Sequence, residues 1–393
     1  MEPESSPPVA SVRIHAIDWL RVLIVYGIAF YHISLVFSPS RWLVNNHGDS
    51  LILSGFAGFT FTWGIPAMFL IAGADTWFAL RHRKPLSFVR ERTLRLIVPL
   101  LIGIPLLTPL QQWAMSHNPP PGLDTLPGFY VRFVTHLEPK WPGPFLSAYS
   151  YHLWFLGYLF AISLVALPIL EWLRSASSRP LRDWIVRQLL RNGGLLILVV
   201  PIVLTQIALR PRFPTYRDWA DIAIYVIVLL YGALLFAEER LRPLITRTIW
   251  YVLPTAIVAL GVIAAILGFH LDYTTTGPWY IQDAMAIGWA YNTWCWLLVL
   301  VGGTLIWLNH ANRVVRYLND LVLPFYVLHH PVVVILASFI VPLGIPTWPK
   351  ILLLTAGVYG ITIFLCETAI RRWSPMRVLF GLKPKARAIA HAR

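Results

Sequence analysis

The first apolar run of this sequence contains three ionisable residues, Asp18, Arg21 and His32. Arg21 and His32 are 11 positions apart. On a helix that is three turns plus about 20°, so they share one face and stand roughly 16 Å apart along the axis. Asp18 precedes Arg21 by one turn and can pair with it. A charge in the hydrocarbon core costs at least about 2.5 kcal/mol on insertion scales, which makes such groups functional candidates. The bland readings are an arginine that snorkels to the headgroups and a neutral histidine bonded to a neighbouring helix. A common face argues against both holding together. An imidazole at that depth suits general-base or nucleophilic work.

A second group is Leu323-Pro324-Phe325-Tyr326-Val327-Leu328-His329-His330-Pro331. Pro331 brings no backbone donor, so it frees a carbonyl one turn earlier for a side chain or ligand. His329 and His330 point about 100° apart on a helix, so only one of them is expected at a shared site. No metal centre is expected, because carboxylate or cysteine co-ligands at suitable spacing are missing. A third group, Arg92 and Arg95, lies one turn apart just before an apolar run. It offers bidentate donors to an anionic headgroup or a phosphorylated cofactor, the alternative being an ordinary basic flank.

The elements that carry these residues follow from composition. The chain has 393 residues, 57% of them hydrophobic and only 13% charged, against roughly a quarter charged in average globular proteins. Mean hydropathy is +0.63. That much apolar surface excludes a soluble enzyme, a secreted scaffold and a disordered chain, and predicts an all-α polytopic membrane protein. Apolar runs between Pro, Gly and charge clusters give ten transmembrane helices, at 16–37, 51–80, 94–113, 149–173, 193–209, 218–237, 249–270, 282–308, 318–341 and 349–373. No internal repeat is visible.

Of the 32 Lys and Arg, 24 fall in one set of alternate loops and 7 in the other, leaving Arg21 within a span. The positive-inside rule then puts both termini in the cytoplasm and explains the net charge of +14 without nucleic acid. Residues 1–15 read as a cytoplasmic segment without the basic n-region of a signal peptide. Residues 16–373 form the transmembrane domain, and 374–393 a basic tail suited to anionic lipid. An external loop at about 114–148, rich in proline and aromatic residues, is not expected to form regular helix. It suits a lid or a sugar-binding rim, or an interfacial aromatic belt. Cys295 and Cys366 lie in apolar segments and read as packed thiols.

Asp18-Trp19-Leu20-Arg21 followed by His32 resembles the first helix of the acyltransferase 3 family, integral-membrane enzymes that acylate extracytoplasmic carbohydrates and other acceptors. Arg92, Arg95 and Pro99 resemble the family's Arg-x-x-Arg-x-x-x-Pro opening of the third helix. His152-Leu153-Trp154 is similar to its His-Leu-Trp, and Tyr326 to His329 to its late Tyr-x-x-His. The likeness covers about 14–370 and is nearest to the branch that succinylates periplasmic glucans. Two departures stand out. Ala72-Gly73-Ala74, followed by Asp75, replaces Ser-Gly-Phe, and the one candidate for a late-helix glutamate is Glu367.

The resemblance implies an O-acyltransferase of the cell inner membrane with no permanently bound cofactor. Acyl-CoA, as acetyl-CoA or succinyl-CoA, would be the cytoplasmic donor and a carbohydrate hydroxyl the acceptor. Arg21, Arg92 and Arg95 would hold the donor phosphates. His32 would act as base or as nucleophile, and His329 would orient it or polarise the thioester; Asp18, His152, Tyr326 and His330 would support them. The rival class is a transporter or flippase that uses the intramembrane His and Arg as relay or substrate residues.

Overall fold

In the computed structural model the described residues are 14–39, 42–46, 50–116, 125–135, 150–270 and 277–384. They form helices: α1 His15–Val36, α2 Leu51–His82, α3 Pro85–Met115, α4 Leu126–Thr135, α5 Tyr151–Arg174, α6 Arg179–Leu189, α7 Gly194–Leu209, α8 Trp219–Ala237, α9 Leu241–Gly268, α10 Trp279–Trp307, α11 Arg313–Ile340, α12 Thr347–Ile370 and α13 Ser374–Leu379. Among the described residues nine helices are long and apolar enough to cross a membrane. The pair α6 and α7, bent by 114°, makes a tenth if it is taken as one broken span. The bend falls at Gly193, whose φ of 75° is left-handed, and at Gly194, where a Cβ would lie 2.4 Å from the Gln188 carbonyl oxygen. Such a corner admits only glycine.

Local chemistry starts the helices where the sequence supplies caps. Ser50 accepts from the Leu53 N–H ahead of α2 and Asn312 from Val314 and Val315 ahead of α11; Pro85 stands in the first turn of α3, where its missing donor costs nothing. α3 therefore begins nine residues before the predicted start at 94, and a π-helical turn at Thr93–Ile97 carries Arg95. The external loop also departs from expectation. α4 is an amphipathic helix inside it, burying Phe129 and Phe133 one turn apart and donating the Tyr130 hydroxyl to the Leu106 carbonyl at 2.6 Å. The prolines at 119–121, 139, 142 and 144, and Trp141, lie outside the described residues.

The tightest contact in the bundle joins α2 to α8. A Cβ on Gly73 would sit 1.8 Å from the Leu229 carbonyl oxygen, and one on Gly232 would sit 1.8 Å from that of Leu70. The two backbones touch, as membrane helices do where small residues face each other. This accounts for Gly73 in the Ala72-Gly73-Ala74 stretch and fixes the wall that carries Asp75 and Thr76. α11 threads the centre, packed on α1, α3 and α12. Both cysteines are buried thiols.

Candidate active site

Where α1, α2, α3 and α11 carry Arg21, Asp75, Arg92 and Asn319, the helices surround a cavity of about 660 Å³. Arg21, Arg83, Arg92, Arg95, Arg371 and Arg377 line it, against the acids Asp75, Glu91 and Asp320. Arg21 is engaged by side chains of the bundle. Its Nη2 donates to Asp75 Oδ1 at 2.6 Å, and its Nη1 donates to Asn319 Oδ1 at 2.6 Å and Asp18 Oδ1 at 3.3 Å. Asn319 Nδ2 donates to Asp18 in turn at 3.2 Å. Three helices thus hold one guanidinium. Asp75 and Asn319 were not singled out as partners from sequence, although a carboxylate inside an apolar run is itself a signal.

Arg92 is placed differently. Its Nη2 donates to the Thr76 hydroxyl at 2.8 Å, its guanidinium lies 5.1 Å from the centre of the Phe88 ring, and no ion pair holds it among the described residues. Arg95 pairs loosely with Glu91 at 3.8 Å and is 48% exposed at the rim. Arg371, gripped by Glu367 at 2.7 Å, completes the basic lining. Glu367 therefore belongs to this end and is not at the histidines. The tail also departs from a purely lipid-facing segment, since Arg377, Leu382 and Lys383 line the cavity.

The inner wall of the cavity includes Tyr326, Phe155 and Leu156. One helical turn beyond Tyr326, about 4.5 Å of rise, four histidines meet. His32 Nδ1 lies 3.1 Å from His329 Nε2. The ring centroid of His32 is 5.2 Å from that of His329 and 4.8 Å from that of His330. His152 stacks on His330 at 4.5 Å. The expectation that only one of His329 and His330 faces the site is thus wrong. Their Cα–Cβ directions diverge, but His32 sits in the wedge between them and each ring turns towards it. His152, His329 and His330 are buried, while His32 is partly exposed.

Hydrogen bonds to carbonyls fix the tautomers, because a carbonyl only accepts. His329 Nδ1 faces the Phe325 carbonyl at 3.2 Å, so Nδ1 carries the proton and Nε2 is the acceptor. His32 must then donate from Nδ1, which leaves its Nε2 with a lone pair. His330 Nδ1 meets Gln111 Oε1 at 2.7 Å, an oxygen oriented by Gln111 Nε2 donating to Leu107 at 3.1 Å. His152 Nε2 donates to the Val327 carbonyl at 3.0 Å, and its buried Nδ1 has no partner among the described residues. That carbonyl is the one Pro331 leaves free, as the sequence predicts. The Tyr326 hydroxyl closes the group by donating to the His152 carbonyl.

Sequence reasoning did not single out Gln111, Trp42 or Tyr151. Trp42 stacks on His32 at 6.0 Å. Tyr151, 5.9 Å from His330, has a φ of 43°, a left-handed conformation that L residues rarely adopt.

A basic cavity and a histidine cluster, joined along α1 and α11, match what the sequence resembles, and comparison decides the family. Residues 14–367 match the acyltransferase domain of the acyltransferase 3 family. The chain belongs to that family. It is similar to glucans biosynthesis protein C of Escherichia coli strain SMS-3-5, at 25% identity over 96% of each chain. The protein of the same name from Salmonella paratyphi B is 26% identical over 98% of each chain. No solved structure matches. The protein is a multi-pass membrane acyltransferase.

Proposed function

We propose that the protein moves an acyl group from cytoplasmic acyl-CoA to a hydroxyl of an extracytoplasmic carbohydrate, in the inner membrane. One observation carries this reading: the basic cavity ends at Tyr326, a single helical turn short of the histidine that His32 bonds. A polyanionic carrier with a long uncharged arm fits that layout. Arg92 takes phosphate first, because no ion pair holds it among the described residues, and Arg95 adds to it from the rim. Arg21 is committed to Asp18, Asp75 and Asn319, so its part is to hold the cavity wall in shape and to keep its positive field facing inward.

His32 acts as general base. Its Nε2 lone pair takes the proton of the acceptor hydroxyl as that oxygen bonds to the thioester carbon. The tetrahedral intermediate then collapses with cleavage of the C–S bond, and the departing thiolate takes the proton from His32. The products are an ester and free CoA thiol. His329 positions His32 through its Nε2, and the imidazolium formed is steadied by that bond. The similarity to glucans biosynthesis protein C favours a glucan as acceptor.

The test is purified protein in proteoliposomes with acetyl-CoA or succinyl-CoA and a glucan. Glucan-dependent release of CoA thiol, with ester formation read by mass spectrometry, is expected. No such release from either donor would overturn the proposed donor and acceptor. An acylated protein accumulating without glucan would replace the base role of His32 by an acyl-histidine intermediate.

A further inference from the structure

α13 ends in a Schellman turn, and the turn is a wall of the basic cavity. The Leu382 N–H donates to the Arg377 carbonyl at 2.6 Å and the Gly381 N–H to that of Val378 at 3.0 Å, the two bonds that define the motif. Gly381 supplies the left-handed residue it needs, with a φ of 75°. A third bond, from Arg377 Nε to the Lys383 carbonyl at 2.7 Å, ties the segment back to the helix. Phe380 is buried.

The turn is pressed against α3 and α11. A Cβ on Gly381 would lie 2.8 Å from the Arg95 carbonyl oxygen and closer still to the Leu323 side chain. The backbone of the turn thus touches the π-helical turn that carries Arg95. Arg377 and Lys383 line the same cavity as Arg92 and Arg95, so the contact at Gly381 fixes the two groups of cations relative to each other.

Most other cations of the lining are already matched. Arg21 is paired with Asp75, Arg83 with Glu91 and Arg371 with Glu367. Arg377 and Lys383, like Arg92, are held by no ion pair among the described residues. Nε of Arg377 is committed to the Lys383 carbonyl, which leaves its two terminal nitrogens as a fork suited to phosphate.

An acyl-CoA carries its charge in two separate places: the pyrophosphate at the end of the pantetheine arm, and a phosphomonoester on the ribose beyond it. With the arm directed inward to Tyr326, the pyrophosphate meets half-buried Arg92 and then Arg95 at the rim. The ribose phosphate comes last, at the mouth, where Lys383 is exposed. We propose that Arg377 and Lys383 bind this ribose phosphate, so that the Schellman turn makes the site prefer CoA to carriers of the same arm that lack it. This rests on the acyl-CoA reading above. An anionic lipid headgroup offers the same phosphate chemistry, and the test separates the two sources.

Equilibrium binding of CoA and of 3′-dephospho-CoA to the purified full-length protein decides it. The wild type should favour CoA at least about tenfold, the scale of a charge-assisted hydrogen bond. Arg377→Gln should lose most of that preference by weakening CoA alone. Lys383→Gln should lose about threefold, because an exposed charge is screened, and it leaves the Nε bond of Arg377 in place. Unchanged affinity for dephospho-CoA shows that each variant is folded. Arg372→Gln, which removes an exposed cation outside the lining, should keep the wild-type preference and so separate contact from the general positive field. A wild type that binds both compounds alike, or a preference that survives in both variants, overturns the assignment while leaving acyl-CoA as donor. An equal loss for both compounds in Lys383→Gln overturns it too. A wild type without preference that short-chain phosphatidylglycerol protects from heat, an effect lost with Arg377→Gln and Lys383→Gln together, gives the cations to lipid and also overturns it. Protein that binds neither compound defeats the donor reading itself.

Discussion

Val327 gives its carbonyl to His152 because position 331, where an N–H would otherwise claim it, is a proline. The helix is thus left incomplete at one bond, and an imidazole from α5 completes it. His152→Ala should leave that carbonyl buried and unpaired, costing about 1–3 kcal/mol. Adding Pro331→Ala supplies a backbone donor, so the double variant should be more stable than His152→Ala alone. Thermal unfolding of the four proteins of the cycle reads this; strictly additive effects would show that the bond contributes nothing.

His32→Gln should retain donor binding and lose turnover by about 100-fold or more, the usual contribution of a positioned base. Glutamine can keep a hydrogen bond to His329 but cannot accept the proton. Donor affinity from equilibrium binding and thiol release from the same preparation separate the two effects. Turnover at the wild-type rate would remove His32 from the chemistry.

Arg92 and Arg21 should fail in different ways. Arg92→Ala removes a cation that no ion pair holds among the described residues and is expected to weaken acyl-CoA binding about tenfold or more, with little change in stability. Arg21→Ala strips Asp75 and Asp18 of their counter-charge and should lower the unfolding temperature as well. Arg21→Lys should not restore it, because one ammonium cannot reproduce the planar fork that reaches both Asp75 and Asn319.

Gly73→Ala places a methyl against the Leu229 carbonyl. Parting α2 from α8 to admit it should cost about 1–3 kcal/mol or more, seen as reduced yield and a lower unfolding temperature. Gly27→Ala, where a Cβ meets nothing within 4 Å, is the matched control and should behave as wild type.

The membrane spans were legible because a hydrocarbon slab demands long apolar runs whatever the tertiary packing. Arg21 and His32 were legible for the same reason, since their shared face is a property of one helix. The partners were not. Asp75 and Asn319 reach Arg21 from positions 54 and 298 residues away, and only packing of α2 and α11 on α1 brings them together. His329 and His330 were read as divergent because the single helix says so, whereas the wedge that His32 fills belongs to two helices. α4 was hidden by the prolines around it, although Phe129 and Phe133, one turn apart, carried its amphipathic signature. The corner between α6 and α7 was written in Gly193-Gly194, residues placed inside a span by hydropathy alone.

The backbone contact at Gly73 and Gly232 also divides the labour of motion. With a carbonyl where each Cβ would be, α2 and α8 have no clearance to roll or slide, so they serve as a stator. α11, interrupted by Pro324 and Pro331, and α3, interrupted by a π turn, Pro105 and Pro109, have broken hydrogen-bond ladders, which is where helices bend. On the acyltransferase reading proposed above, an acyl chain passing from the basic cavity to the histidines would have to part the Tyr326 hydroxyl from the His152 carbonyl. The barrier on that route is then one side chain against a fixed wall.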